Sequence, residues 1–271
     1  MSHSFRLYSC FIVLFCCSLY SVAQEATPYN ESGTRRAAQG DYAGAIADFT
    51  KAISLDSAYA TAYYNRANAK QDLKKLDEAI ADYNQALRLK PNYREAYNNR
   101  GIVYMALGRT TAAEADYRKT ISIDSTYTKA YFNLGDLMLS QKKYTQAIQF
   151  FDHNIRLDNT DAQAYYYKGL AQYENDQFDE AIQNLTQSMV LKANNADAYY
   201  YRASAKYAQG KTAAALEDYT TSIALNPTYA NAYYYRGQTY LAQKQQKEAL
   251  ADFTKAIEIN PKEGMPYFNR G

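Results

Sequence analysis

Residue types that perform covalent chemistry are scarce in this chain, and their positions limit what they can do. The three cysteines, Cys10, Cys16 and Cys17, all lie in one apolar stretch near the start, and the two histidines are His3 and His153. A nucleophile needs a base in reach, a metal needs converging donors, and a phosphate needs a glycine-rich loop; the sequence offers none of these, so no catalytic residue, metal or cofactor is expected. Paired carboxylates occur, but only at regularly recurring positions. Tyrosine is abundant instead, with 30 among 271 residues. It is concentrated in three near copies: QAYYYKGLAQYEND from 163, DAYYYRASAKYAQG from 197 and NAYYYRGQTYLAQK from 231. A phenol ring offers a large apolar face with a polar tip, which suits non-covalent docking of a partner rather than bond-making.

The copies recur every 34 residues, and sliding the chain along itself at that period gives seven gapless units: 26–59, 60–93, 94–127, 128–161, 162–195, 196–229 and 230–263, with a partial eighth over 264–271. The eighth position of each unit is small (Gly33, Ala67, Gly101, Gly135, Gly169, Ala203, Gly237) and the twentieth is alanine (Ala45, Ala79, Ala113, Ala147, Ala181, Ala215, Ala249). The twenty-fourth is large: Phe49, Tyr83, Tyr117, Phe151, Leu185, Tyr219 and Phe253. Pro91, Pro227 and Pro261 share the thirty-second position, where a missing amide donor stops a helix.

This pattern resembles the tetratricopeptide repeat over residues 26–271. The resemblance implies an all-α, right-handed solenoid of antiparallel helix pairs, each stacked on the next, with small residues where the two helices of a pair touch. Fold alone does not give function, which must come from the site.

Residues 1–23 differ from the rest. Arg6, an apolar run from Leu7 to Tyr20 and the small-residue stretch Ser21-Val22-Ala23 form the pattern of a secretory signal peptide. Fourteen apolar residues are short for a bilayer span of about 20. Removal after Ala23 takes all three cysteines with it, leaving a chain without thiols for the periplasm, cell envelope or exterior. It also removes one of the 30 basic residues, leaving 29 against 28 acidic ones. Near-neutral charge with no basic run argues against nucleic acid. After Glu263 the partial unit GMPYFNRG ends at Gly271 without the polar capping helix usual in solenoids, so the expectation is either a fragment of a longer protein, the favoured reading, or a frayed last pair.

Residues seven apart on a helix nearly superimpose. Tyr233 then aligns with Tyr240 and Gly237 on the packed face, while Tyr234 and Tyr235 point elsewhere. By the resemblance, that other face lines a concave groove. The first tyrosine of each triplet is therefore expected in the core, and the groove is expected to be lined by Tyr64, Phe132, Tyr166, Tyr167, Tyr173, Tyr200, Tyr201, Tyr207, Tyr234 and Tyr235. Asp72, Glu95, Asp136, Glu174 and Asp197 join it, favouring a neutral or basic segment. Tetratricopeptide domains that grip chaperone C-termini use two asparagines and three cations. Asn68, Asn99 and Lys129 match that pattern, but Tyr64 and Asn133 stand where the other two cations belong, and the groove acids oppose a carboxylate.

The cation after the tyrosines covaries with a residue sixteen further on: Arg66 with Asp82, Arg100 with Asp116, Arg202 with Asp218 and Arg236 with Asp252. Leu134 goes with Phe150 and Lys168 with Asn184, while Ser32 with Asp48 breaks the rule. A half-buried guanidinium needs an acceptor matching its planar fork, so these pairs are expected to be structural. His153 falls on the outer face of a second helix, as a solvated residue. Together these features indicate a non-catalytic interaction scaffold holding an extended peptide or partner helix. The alternative is the docking or sensory front end of a longer enzyme or receptor.

Overall fold

A computed structural model describes residues 25–261. The signal peptide expected at 1–23 and the partial unit at 264–271 lie outside the described residues. The chain forms two compact bodies, divided between Ala130 and Tyr131. Among the described residues there are fourteen α-helices and no strand. Helix α1 covers 25–38, followed by α2 (Tyr42–Leu55), α3 (Ala60–Asp72), α4 (Leu76–Leu89), α5 (Arg94–Ala106), α6 (Thr110–Ile123) and α7 (Thr128–Ser140). Then come α8 (Tyr144–Leu157), α9 (Ala162–Glu174), α10 (Phe178–Leu191), α11 (Ala196–Ala208), α12 (Thr212–Leu225), α13 (Ala230–Ala242) and α14 (Gln246–Ile259). Each unit is one helix pair, and from α3 onward every first helix starts on the first residue of its unit.

Both helices end where local chemistry requires. The fifteenth position of every unit is left-handed: Gly40 (φ 82°), Lys74 (61°), Gly108 (70°), Lys142 (57°), Asp176 (58°), Gly210 (73°) and Lys244 (61°). That conformation turns the backbone so that, in 60–93, the Lys74 amide donates to the Gln71 carbonyl and the Lys75 amide to the Lys70 carbonyl, both at 2.9 Å. These bonds satisfy carbonyls that a helix end leaves open. Second helices stop at the thirtieth position whether or not proline follows, as Leu157 and Leu191 show beside Leu89 and Leu225.

The expected small-residue contacts are present. All seven twentieth-position alanines are fully buried, as are the large residues of the twenty-fourth position, at 0–2% exposure. A Cβ added at Gly101 would come within 2.5 Å of the Tyr117 ring, and one at Gly135 within 2.6 Å of Phe151. Ala67 and Ala203 stand in the same position, so the facing Tyr83 and Tyr219 rings sit far enough back for a methyl. The first helices α3, α5, α9, α11 and α13 each contact both their own second helix and the preceding one: α11 packs on α12 and on α10, and α5 on α6 and on α4. A helix held between two neighbours buries two opposite faces, which decides where the tyrosines go.

Candidate aromatic docking face

The triplet 199–201 shows how adjacent residues take separate roles. Ala203 and Tyr200 pack on Ala215 and Tyr219 of α12, while Ala198 packs on Ala181, Leu185 and Met189, within α10. Tyr200 is only 8% exposed, with its ring 6.0 Å from Tyr219 and 5.0 Å from Tyr229. Tyr199 is half-buried and lies beneath the guanidinium of Arg202 at 5.6 Å. This corrects the sequence expectation: the middle tyrosine is the core residue, and the first is an arginine platform. The expectation assumed one packed face through positions four, eight and eleven. With two packed faces, position five joins position eight against the second helix, and position four emerges beside the arginine. The same arrangement recurs at Tyr63 under Arg66, Tyr97 under Arg100 and Tyr233 under Arg236, at 5.5–5.6 Å.

The third tyrosine leans on the middle ring of the preceding unit. In the C-terminal body the contacts form a continuous run of rings. Phe132 meets Tyr167 at 5.4 Å, Tyr167 meets Tyr166 at 5.0 Å, and Tyr166 meets Tyr201 at 6.4 Å. Tyr201 meets Tyr200 at 5.0 Å, Tyr200 meets Tyr235 at 5.9 Å, and Tyr235 meets Tyr234 at 5.1 Å. Tyr234 closes the run on Phe253 at 5.8 Å. Tyr173 joins from the side, 5.6 Å from Tyr201, and Tyr207 packs on the cluster around Tyr219. Thus nine of the ten expected groove residues gather in this body, all but Tyr200 half-buried with part of the ring surface open. Tyr64 belongs to the N-terminal body, against Tyr83 and Tyr93 at 6.1 and 4.8 Å. Asn99 donates to both the Tyr64 hydroxyl and the Asn68 side-chain oxygen at 3.1 Å, so these asparagines bond within the fold.

The acids have different environments. Burial pushes the Glu95 carboxyl up, but the hydrogen bond from Arg94 at 2.7 Å, a backbone hydrogen bond and the charges of Arg94 and Lys90 together outweigh it, and the net direction is down. Asp136 is half-buried and makes no hydrogen bond or ion pair with another described residue; burial raises its pKa, and burial, followed by the Asp136 charge, raises that of neighbouring Tyr167. Asp72, Glu174 and Asp197 are exposed.

The arginines are fully occupied. Arg202 donates Nε and Nη2 to the two Asp218 oxygens at 2.8 and 2.6 Å, and that pairing raises its pKa. The forks of Arg66, Arg100 and Arg236 close on Asp82, Asp116 and Asp252 in the same way, at 2.7–2.8 Å. The remaining nitrogen reaches back to the preceding second helix: Arg66 to Thr50, Arg100 to Asn84, Arg202 to Thr186 and Arg236 to Thr220. Each arginine therefore fastens two units together. That polar residue at the twenty-fifth position was visible in the sequence as a second covarying signal. Lys168 corrects its expected pairing: its ammonium lies 2.7 Å from Asp152, at that same position, while Asn184 donates to Gln172. Ser32 is no true exception, since its hydroxyl donates to Asp48 at 2.8 Å. His153 is exposed, stacked 5.3 Å from Tyr131.

Among the described residues no group of three His, Cys, Asp or Glu side chains could hold a metal, and no helix is long and apolar enough to cross a membrane. One cavity, of about 370 Å³, opens beside Tyr166 and Tyr167 at the junction of units 162–195 and 196–229.

Comparison with known proteins gives a consistent result. A family model described as TPR repeat matches residues 33–74, 71–108 and 203–244. Models described as tetratricopeptide repeat match 95–127 and 230–263, 128–161, and 163–188. No curated protein matches the chain. Among solved structures, the C-terminal part of a TPR repeat-containing protein from Cytophaga hutchinsonii superposes with a TM-score of 0.73 at 22% identity, over 89% of this chain and 99% of that one. YrrB, described as a TPR protein with an unusual peptide-binding site, gives 0.61 at 22% identity over 69% and 96%. MamA gives 0.57 at 28% identity over 60% and 95%.

Proposed function

The chain belongs to the tetratricopeptide repeat family, and from that premise we propose a non-catalytic scaffold that holds an extended peptide or partner helix against the aromatic face of its first helices. One observation carries the reading: six half-buried rings and the buried Tyr200 form a run along α7, α9, α11 and α13, ending on Phe253, with Tyr173 and Tyr207 beside it and the acids Asp136, Glu174 and Asp197 on the same helices. Half-open tyrosine faces bury apolar area when a segment docks, and their hydroxyls pair with its backbone. A carboxylate such as Asp136, disfavoured by burial and without a hydrogen-bond or ion-pair partner among the described residues, favours a docked segment that brings a cation. The segment is therefore neutral to basic, and nucleic acid is not the partner. The signal-peptide pattern read in the sequence of residues 1–23 supports export to the periplasm or cell envelope.

The test uses two exposed acids, of which Asp197 also faces the Tyr229 hydroxyl. Extracts of cell envelope are passed over wild-type protein and over Glu174→Lys/Asp197→Lys. The expected result is a double variant that still melts cooperatively, partners retained on the wild type and weakened by added salt, and their loss from the double variant. Identical partners on both proteins would refute the reading.

A further inference from the structure

The cavity at the junction of units 162–195 and 196–229 has an explanation within the repeat. The last position of a unit is tyrosine in four cases, Tyr59, Tyr93, Tyr127 and Tyr229. Two of those rings show their role. Tyr93 lies 4.8 Å from Tyr64, and Tyr229 lies 5.0 Å from Tyr200, each on the middle ring of its own unit. In unit 162–195 the middle ring is Tyr166, but the last position is Asn195, whose side chain instead caps α11 by accepting from the Asp197 and Ala198 amides at 3.1 and 3.2 Å. The ring that covers Tyr64 and Tyr200 elsewhere is therefore missing over Tyr166. The cavity is lined by Tyr166 and Asn195 themselves, with Gln163, Ser188, Lys192 and Asp197.

The rest of the lining also follows the template. The Lys90 ammonium lies over the Tyr93 ring at 4.1 Å, and Lys192 stands at the same position of its unit as Lys90. The second position of the unit faces the hydroxyl of the covering ring, Thr61 for Tyr93 and Asp197 for Tyr229. Beside the cavity that position is Gln163, which can both donate to and accept from a phenol.

We infer that this cavity is a receptor for a tyrosine side chain of the docked segment, supplied by the partner where the repeat leaves out its own. The incoming ring stacks on Tyr166 beneath the Lys192 ammonium, and its hydroxyl meets Gln163. The inference rests on the scaffold reading but is more specific, since it names the side chain and the place.

The probe is N-acetyl-L-tyrosinamide, titrated into the full protein and followed by backbone amide shifts, with N-acetyl-L-leucinamide as comparator. The expected result is binding on the order of 1 mM, as befits so small a ligand, with shifts centred on 163–166 and 192–197 and at least about tenfold weaker binding of the leucine compound, which offers neither a face for the cation nor a hydroxyl. Asn195→Tyr completes the repeat; Tyr59, Tyr93 and Tyr229 occupy that position without a side-chain cap. The variant should raise the melting midpoint while abolishing the shifts. Lys192→Ala, at an exposed residue, should weaken the probe several-fold without changing the melt. Equal binding of the two probes, or undiminished binding to Asn195→Tyr, would overturn the inference. If the tyrosine probe fails while peptides selected from a display library still bind, this inference falls and the scaffold reading stands. If neither binds, both fall.

Discussion

Replacing each tyrosine of the triplet 199–201 in turn should give unequal losses, and the structure fixes their order. Tyr200 is 8% exposed and has four aromatic neighbours within about 6 Å: Tyr201, Tyr219, Tyr229 and Tyr235. Tyr200→Ala removes a ring that two helices and the next unit enclose, so little can close over the void, and a loss of about 3–5 kcal/mol is expected for a large aromatic truncation. Tyr199 is half-buried, and its specific partner is the Arg202 guanidinium at 5.6 Å. Arg202 keeps Asp218 and Thr186 when that ring is gone. The loss is then part of the ring's burial plus a cation–π contact of about 0.5–1 kcal/mol, roughly 1–2 kcal/mol in all. Tyr201 should fall between them. Urea melts followed by far-ultraviolet circular dichroism measure the three losses. Because units touch mainly their neighbours, amide hydrogen exchange should place the Tyr200→Ala loss in 162–263. A larger loss for Tyr199→Ala than for Tyr200→Ala would refute the two-faced packing of the first helix.

Three further outcomes follow from the same geometry. A double-mutant cycle from Arg202→Leu and Asp218→Phe, the combination that Leu134 and Phe150 carry natively, should show coupling of about 0.5–3 kcal/mol in urea melts, and additive losses would contradict the pairing. Lys74→Gly should gain about 0.5–1 kcal/mol, since a left-handed non-glycine residue costs about 1–2 kcal/mol and glycine's extra freedom in the unfolded chain offsets part of the relief; a neutral or negative result would contradict the φ of 61°. Asp136 has a raised folded-state pKa from burial. Its stabilising contribution is therefore complete below the unfolded carboxylate value and is lost as pH rises through the folded one. Asp136→Asn should accordingly raise the urea midpoint at neutral pH and not in acid. A gain that persists below about pH 3 would rule out ionisation as its cause.

What could be read from the sequence depended on how many units reported the same thing. Gly135, Ala147 and Phe151, at positions eight, twenty and twenty-four, recur in kind seven times, so register and helix contacts followed directly. The Arg202–Asp218 pair was visible because Leu134 with Phe150 showed what happens when it is absent. The tyrosine faces were misread at Tyr199 and Tyr200 because a single helical wheel allows one buried face, whereas stacking on both α10 and α12 creates two. The signal for the second face was present in Ala198 and Ala205, seven apart and both fully buried. The left-handed fifteenth position was visible at Gly40, Gly108 and Gly210 but not at Lys74 or Asp176, where the turn's hydrogen bonds override residue preference. The cavity was also written in the sequence, as Asn195 where four units have tyrosine, but its meaning required seeing where Tyr93 and Tyr229 put their rings.

The central claim is that partners dock on the aromatic face of the first helices. Peptides selected from an unbiased display library against the full protein, then mapped by amide shift perturbation, test it most directly. The account predicts perturbations at Asp136, Tyr167 and Tyr201, weakened by salt and by Glu174→Lys/Asp197→Lys, with the second-helix surface around His153 unmoved. Perturbations centred on His153 and its neighbours in α8, or binding indifferent to the charge reversal, would contradict it.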